Sequence, residues 1–324
     1  MENLREADYQ LSYDNFIKNS YDLSLKKFIN KICFHSIVLE PCVWPNFGLV
    51  SHKDSGAHKD MDYNLLIESA KSITPYFYSC FKVGCSTSVS NIEKLFAIKK
   101  IGIDAEIDML NTTKNVNTHK GVIFLLSIVC TSLGISLTNF KVKCTDINII
   151  DLWDFILQEA YNLSKDYVSN EISKIHGYGL SQTYGQWAQS RYKVLGVRGI
   201  VTSNFQIVRC GLKIYLDLFN KIKNKELVLG QLRLYFLAYA EDTNIIKRAG
   251  IFNAYKLKDL AHKAYAAGGV FTKKGMLLVN MIEDLMNKNK WSAAASGDLI
   301  ILILFMVSIY ESRFINSRKE NFSS

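Results

Sequence analysis

The sequence predicts an all-α fold, and three observations carry that prediction. Only three prolines occur in 324 residues, at Pro41, Pro45 and Pro75, so nothing interrupts helices beyond position 75. Apolar residues recur at three- and four-residue spacing along most of the chain. Two stretches, 121–134 and 299–310, are apolar all round, as a helix enclosed on every side must be. The expected architecture is a single multi-helix domain with buried central helices and a polar cleft.

Taken in order, residues 1–20 are polar and mixed and read as an N-terminal extension, followed by a domain over 21–316 and a polar tail at 317–324. A helical stripe runs from Tyr21 to Leu39 until Pro41 and Pro45 end it. Residues 62–81 read as a helix with Pro75 inside it. Ser90-Asn91-Ile92-Glu93 has the form of a capping box and opens a helix through Leu110, with Ile92, Leu95, Phe96 and Ile103 as its apolar stripe and Glu106 as a solvated charge. Further helices are expected at 146–175, 205–222, 226–240, 251–267 and 272–289, and at both apolar stretches. Residues 179–204 are the least regular and read as a short helix plus loop.

Composition excludes several function classes. Hydrophobic residues at 48% and charged residues at 21% rule out a disordered chain. The two apolar stretches fall short of the ~20 residues a membrane span requires, so no membrane partner is expected. The net charge of +9 is spread along the chain with no arginine-rich arm, which argues against nucleic acid. Seven cysteines without a C-x-x-C pair read as reduced core residues, and the polar N-terminus shows no signal-peptide pattern. A cytoplasmic protein is expected, and a homo-oligomer is compatible with the sequence.

The polar residues gather in short knots. Ser55-Gly56-Ala57-His58-Lys59-Asp60-Met61-Asp62 concentrates an imidazole, a cation and two carboxylates before a helix, where His58 and Asp62 would share one helical face. Asn117-Thr118-His119-Lys120-Gly121 precedes the first apolar helix. A threonine cap there, with free backbone N–H groups and a lysine, suits phosphate as well as it suits a plain N-cap. Asp242-Thr243-Asn244 with Arg248, and the small-residue run Ser292–Asp298, complete the set.

In this order the knots resemble the triphosphoribosyl-dephospho-CoA synthase family. Gly48-Leu49-Val50, His176-Gly177, Gly196-Val197-Arg198-Gly199 and Ser296-Gly297-Asp298-Leu299 extend the match over most of the chain. The chain departs from the family pattern at Asn46 and Ser51, where a lysine and an aspartate are usual, at Ile200 in place of glutamate, and at Ala293–Ala295.

The resemblance implies an enzyme that joins ATP to 3′-dephospho-CoA with loss of adenine, making the prosthetic-group precursor of citrate lyase or malonate decarboxylase. It implies His58, Asp60, Asp62 and His119 as catalytic residues. Lys59, Asn117, Thr118, Lys120, Arg198, Arg248 and Ser296 would bind the nucleotides, and Asp60, Asp242 and Asn244 would hold Mg²⁺. The downstream holo-acyl-carrier-protein synthase is an implied partner. A paralogue that binds nucleotide without turnover is the alternative. Asp298 is expected to cap the last helix.

Overall fold

The computed structural model describes residues 21–138, 148–178 and 183–312; the expected extension and tail lie outside them. Among the described residues there are thirteen α-helices and no strands. They are α1 (Tyr21–Leu39), α2 (Tyr63–Cys85), α3 (Asn91–Thr112), α4 (Lys120–Thr138), α5 (Ile149–Tyr178), α6 (Tyr184–Tyr192), α7 (Val197–Thr202), α8 (Gln206–Ile222), α9 (Lys225–Tyr239), α10 (Thr243–Ala249), α11 (Ile251–Ala266), α12 (Lys273–Asn289) and α13 (Ala294–Glu311). The all-α expectation holds, and most boundaries fall within three residues of those expected. The irregular region resolves into two short helices, α6 and α7, and the Asp242 knot opens a helix of its own, α10.

Local chemistry explains the helix starts. Ser90 and Glu93 form the reciprocal capping box at α3, and Asn224 and Thr272 accept backbone N–H bonds at the starts of α9 and α12. α2 runs on past Pro75 to Cys85. It crosses α4 closely at Gly84 and Gly134, where an added Cβ on either would run into the other helix's backbone.

α4 and α13 are the buried central helices. Both are longer than the sequence suggested, and by length and composition each could cross a membrane. What decides against that reading is burial rather than length: other helices enclose nearly all of α4 and most of α13. The apolar core forms two clusters. The larger surrounds α4 and α13, and the smaller gathers Phe47, Trp291 and Ala293 with α9, α11 and α12.

One expectation about packing fails. On α3 three of the four stripe residues, Ile92, Phe96 and Ile103, face solvent; Leu95 packs against the core, whose buried contacts come from Ile98, Ala105 and Met109. Both faces are apolar at helical spacing, so periodicity alone does not choose between them.

Where the two clusters meet, Arg233 of α9 is fully buried. Its guanidinium ion-pairs with Glu40 and donates to the carbonyls of Glu40 (2.9 Å), Val43 (2.7 Å) and Pro45 (3.3 Å). Burial pushes the Glu40 carboxyl above its ordinary value, and the Arg233 charge opposes that rise. The pair fixes the turn leading from α1 to the polar loop. Arg233→Leu would strand a buried carboxyl and three carbonyls, so urea denaturation is expected to show a loss of about 3–5 kcal/mol.

Candidate active site

The polar knots converge on the segment from Trp291 to Asp298. Ala293, at the N-cap position of α13, has no side-chain oxygen to cap the helix. The first-turn donor of Ala295 is met instead by Asp242 Oδ2, at 2.8 Å. Asp242 Oδ1 accepts from the N–H groups of Asn244 (2.8 Å) and Ile245 (3.0 Å), so one carboxylate caps both α10 and α13. Burial raises its pKa from 3.8 to about 6, against the pull of those three donors and of Arg248. Asn244 Nδ2 donates to Ser292 O (3.2 Å) and ties the same two helix starts together.

His58 lies against this frame. Its Nε2 is 2.9 Å from Ser292 Oγ, and its Nδ1 is 3.1 Å from an Arg248 guanidinium nitrogen. Arginine only donates, so Nδ1 accepts and Nε2 carries the proton that goes to Ser292. Burial first, and the Arg248 charge second, lower the His58 pKa, which keeps this ring neutral. Asp60 Oδ1 stands 3.4 Å from Nδ1 on the exposed side. Arg248 also donates to Lys290 O (3.0 Å) and Ala57 O (3.3 Å), stapling the loop to the end of α12. The loop's entry depends on Gly48, whose φ of +71° and closeness to the Trp291 carbonyl leave no room for a side chain.

The second knot arrives through α4. Asp298 is not a cap: it sits within α13, and its carboxylate rests on Gly121 in the first turn of α4, where a Cβ would collide with it. Burial lifts the Asp298 pKa well above the ordinary carboxylate range, and the negative charges of Asp242 and Glu40 add to that rise. Asp298 thus lies within electrostatic reach of both Asp242 and Glu40 at the junction of the two clusters. Asn117 Oδ1, rather than Thr118, accepts from Lys120 N (3.2 Å). Thr118 bonds to Ser69 (2.6 Å), which also meets His119 Nδ1 (2.8 Å). His119 is buried, and desolvation lowers its pKa to about 4.

Other expected residues lie at the rim. Lys120 Nζ pairs with Glu106 (2.6 Å), so Glu106 is not the solvated charge expected. Arg198 approaches Glu171 of α5 (3.5 Å), while its buried Nε lacks a hydrogen bond. Lys59 and Asp60 are exposed. Asp62 caps α2 by accepting from Leu65 N (2.8 Å), and α2 begins only at Tyr63, so His58 and Asp62 share no helical face. Ser296 is buried and donates to Ala293 O (2.8 Å) within its own helix.

Four structurally important residues escaped the sequence reading. Glu40 and Arg233 hold the junction, Glu283 accepts from Phe47 N (2.7 Å), and Glu241 accepts from Leu195 N (2.7 Å) and Gly196 N (3.3 Å). A lone charge inside an apolar run, as in Leu232-Arg233-Leu234, was the available signal.

Residues 26–315 match the model of the CitG family, described as ATP:dephospho-CoA triphosphoribosyl transferase. The chain belongs to this family. It is 27% identical to a protein of Vibrio cholerae serotype O1 described as "Probable 2-(5''-triphosphoribosyl)-3'-dephosphocoenzyme-A synthase", over 91% of this chain and 93% of that one. A Salmonella typhi protein described in the same words, numbered 1, is 28% identical over 86% and 89%. Protein CitXG of Leuconostoc mesenteroides subsp. cremoris is 29% identical over 85% of this chain and 58% of its own length. No solved structure matches.

Two outcomes follow from this geometry. Alanine is at ease in a helix, so Gly121→Ala should fold normally by circular dichroism while displacing the Asp298 carboxylate; kcat is expected to fall by about 10²-fold. An acid whose pKa rises on folding holds its proton longer in the native state, so ionising Asp242 weakens the fold. Stability should therefore decline as pH climbs from about 4 through about 6. Denaturant midpoints measured across that window should be flatter in Asp242→Asn.

Proposed function

We propose that this CitG-family transferase moves the 5-triphosphoribosyl group of ATP onto the ribose 2′-OH of 3′-dephospho-CoA and releases adenine. The acceptor oxygen forms a bond to C1′ of the ATP ribose, and the C1′–N9 bond breaks with its electron pair going to adenine. The hydroxyl proton passes to a base, and adenine takes a proton from an acid. The observation that carries the reading is the placement of Asp298, which burial keeps protonated, beside the His58–Asp242 frame. A protonated carboxylic acid there can supply the leaving base, as the acid of a glycosidase pair does.

In this reading Asp60, exposed next to His58, receives the hydroxyl proton, and neutral His58 ties the loop that carries Asp60 to Ser292 and Arg248. Asp62 adds negative charge at the loop where positive charge develops on the ribose. His119 stays neutral and acts as a hydrogen-bonding group for adenine. The phosphates take Lys59 and Arg248 at the loop, and Lys120 and Arg198 by exchange with Glu106 and Glu171. Asn117 and Thr118 hold the α4 entrance in place, and Ser296 supports α13 from within.

Mg²⁺ would shield the triphosphate. Asp242 spends its oxygens on three backbone donors, Asn244 turns its amide nitrogen to Ser292, and no group of three metal-binding side chains occurs among the described residues. These residues do not form a preassembled metal site. The product serves as prosthetic-group precursor for citrate lyase or malonate decarboxylase, is handed to a holo-acyl-carrier-protein synthase, and is made in the cytoplasm.

A second reading, nucleotide binding without turnover, draws on Ile200, which is buried where the family has glutamate. Ser51 does not favour it, since Ser51 Oγ still accepts from Lys53 N and Asp54 N (both 3.1 Å), as an aspartate would. Incubation with ATP, Mg²⁺ and 3′-dephospho-CoA separates the readings. Free adenine that appears only with the acceptor present is the expected result; thermal stabilisation by ATP with no adenine would establish the binder. Asp298→Asn should lower kcat by about 10²–10⁴-fold, with KM for ATP largely unchanged.

A further inference from the structure

The outer face of α3 has no covering element among the described residues. Ile92, Phe96, Ile103 and Ile107 are 69%, 62%, 49% and 49% exposed, although all are large and apolar. At 3.6 residues per turn they fall within an arc of about 60°. Scattered exposed hydrophobes are ordinary, but four aligned on one helix form a stripe about 22 Å long. The opposite face of the helix is already committed to the core through Ile98, Ala105 and Met109.

Charge along the stripe selects the occupant. Lys100 borders it in the N-terminal half of α3 and Asp104 borders it on the same side one turn later. Neither belongs to an ion pair among the described residues. Two copies of α3 laid antiparallel about a twofold axis level with residue 102 bring Lys100 of each copy against Asp104 of the other. The same axis sets Phe96 of one copy opposite Ile107 of the other and Ile103 beside its own equivalent. A parallel pairing would instead put the Lys100 and Asp104 flanks of the two copies on opposite sides of the interface, where neither charge meets its partner. The sequence of this face is therefore complementary to itself under the symmetry of a closed dimer.

We propose that the outer face of α3 is a homodimer interface, with two α3 helices packed antiparallel and closed by reciprocal Lys100–Asp104 ion pairs. A single helix pair buries less than the roughly 800 Å² per partner of a standard stable interface. The dimer is accordingly a concentration-dependent one, forming in the micromolar range. The proposal stands whether or not the reaction assigned above is correct.

Sedimentation of the full chain from about 1 to about 100 μM reads the outcome directly. The mass should rise from 36.9 kDa toward twice that value. Phe96→Glu should hold it at the monomer, and so should Lys100→Glu; all three side chains tested are exposed, so each variant is expected to keep the wild-type circular dichroism. The double change Lys100→Glu with Asp104→Lys restores opposite charges across the axis and should restore the dimer. A wild-type chain that stays monomeric throughout would overturn the proposal. So would a dimer indifferent to Phe96→Glu, or a Lys100→Glu monomer that the reciprocal change leaves monomeric.

Discussion

The start of α13 is a helix end that cannot satisfy itself. Its N-cap position is alanine, the residues before it are tryptophan and serine, and the helix beyond is so apolar that the core encloses most of it. Buried N–H groups without acceptors are costly, so the fold must import them. Asp242 arrives from α10, the Phe47 carbonyl accepts from Ala293 N (3.1 Å), and Ser292 draws in His58 and Asn244. The site is assembled by the same bonds that terminate the central helix.

That arrangement has an electrostatic consequence. Glu40, Asp242 and Asp298 are all withdrawn from water, and each has its pKa raised by the loss of hydration. Only Glu40 has a buried cation in direct contact. The other two are held by backbone donors and by a glycine that yields space, so Asp298 retains its proton more strongly than an exposed aspartate does. Neutral His58 and neutral His119 stand nearby for the same reason, with the charges of Lys59, Lys120 and Arg198 kept at the rim. A buried acid that retains its proton, with cations around it, suits a substrate that brings its own negative charge and loses an aromatic base.

Much of the fold was legible because helices announce themselves locally. The Ser90–Glu93 capping box, the proline-free remainder and the two all-apolar stretches depend on neighbours a few residues apart. The α3 stripe misled because both faces of that helix are apolar and burial is settled by which neighbour arrives. Glu106 and Asp298 misled for a related reason. The partner of Glu106 is Lys120 on another helix, and the position of Asp298 follows from the space left by Gly121.

By itself the sequence determined the helical class, the order of the elements and the polar segments that place the chain in its family, since those reside in local spacing and residue type. The tertiary structure decided which groups share an environment. It buried Arg233 on Glu40, turned Asp242 into the cap of two helices, fixed the tautomer of His58 and left one flank of α3 open. Those outcomes depend on distances between residues up to 234 positions apart in the chain, and no short-range pattern encodes them, because desolvation and pairing are properties of the packed interior.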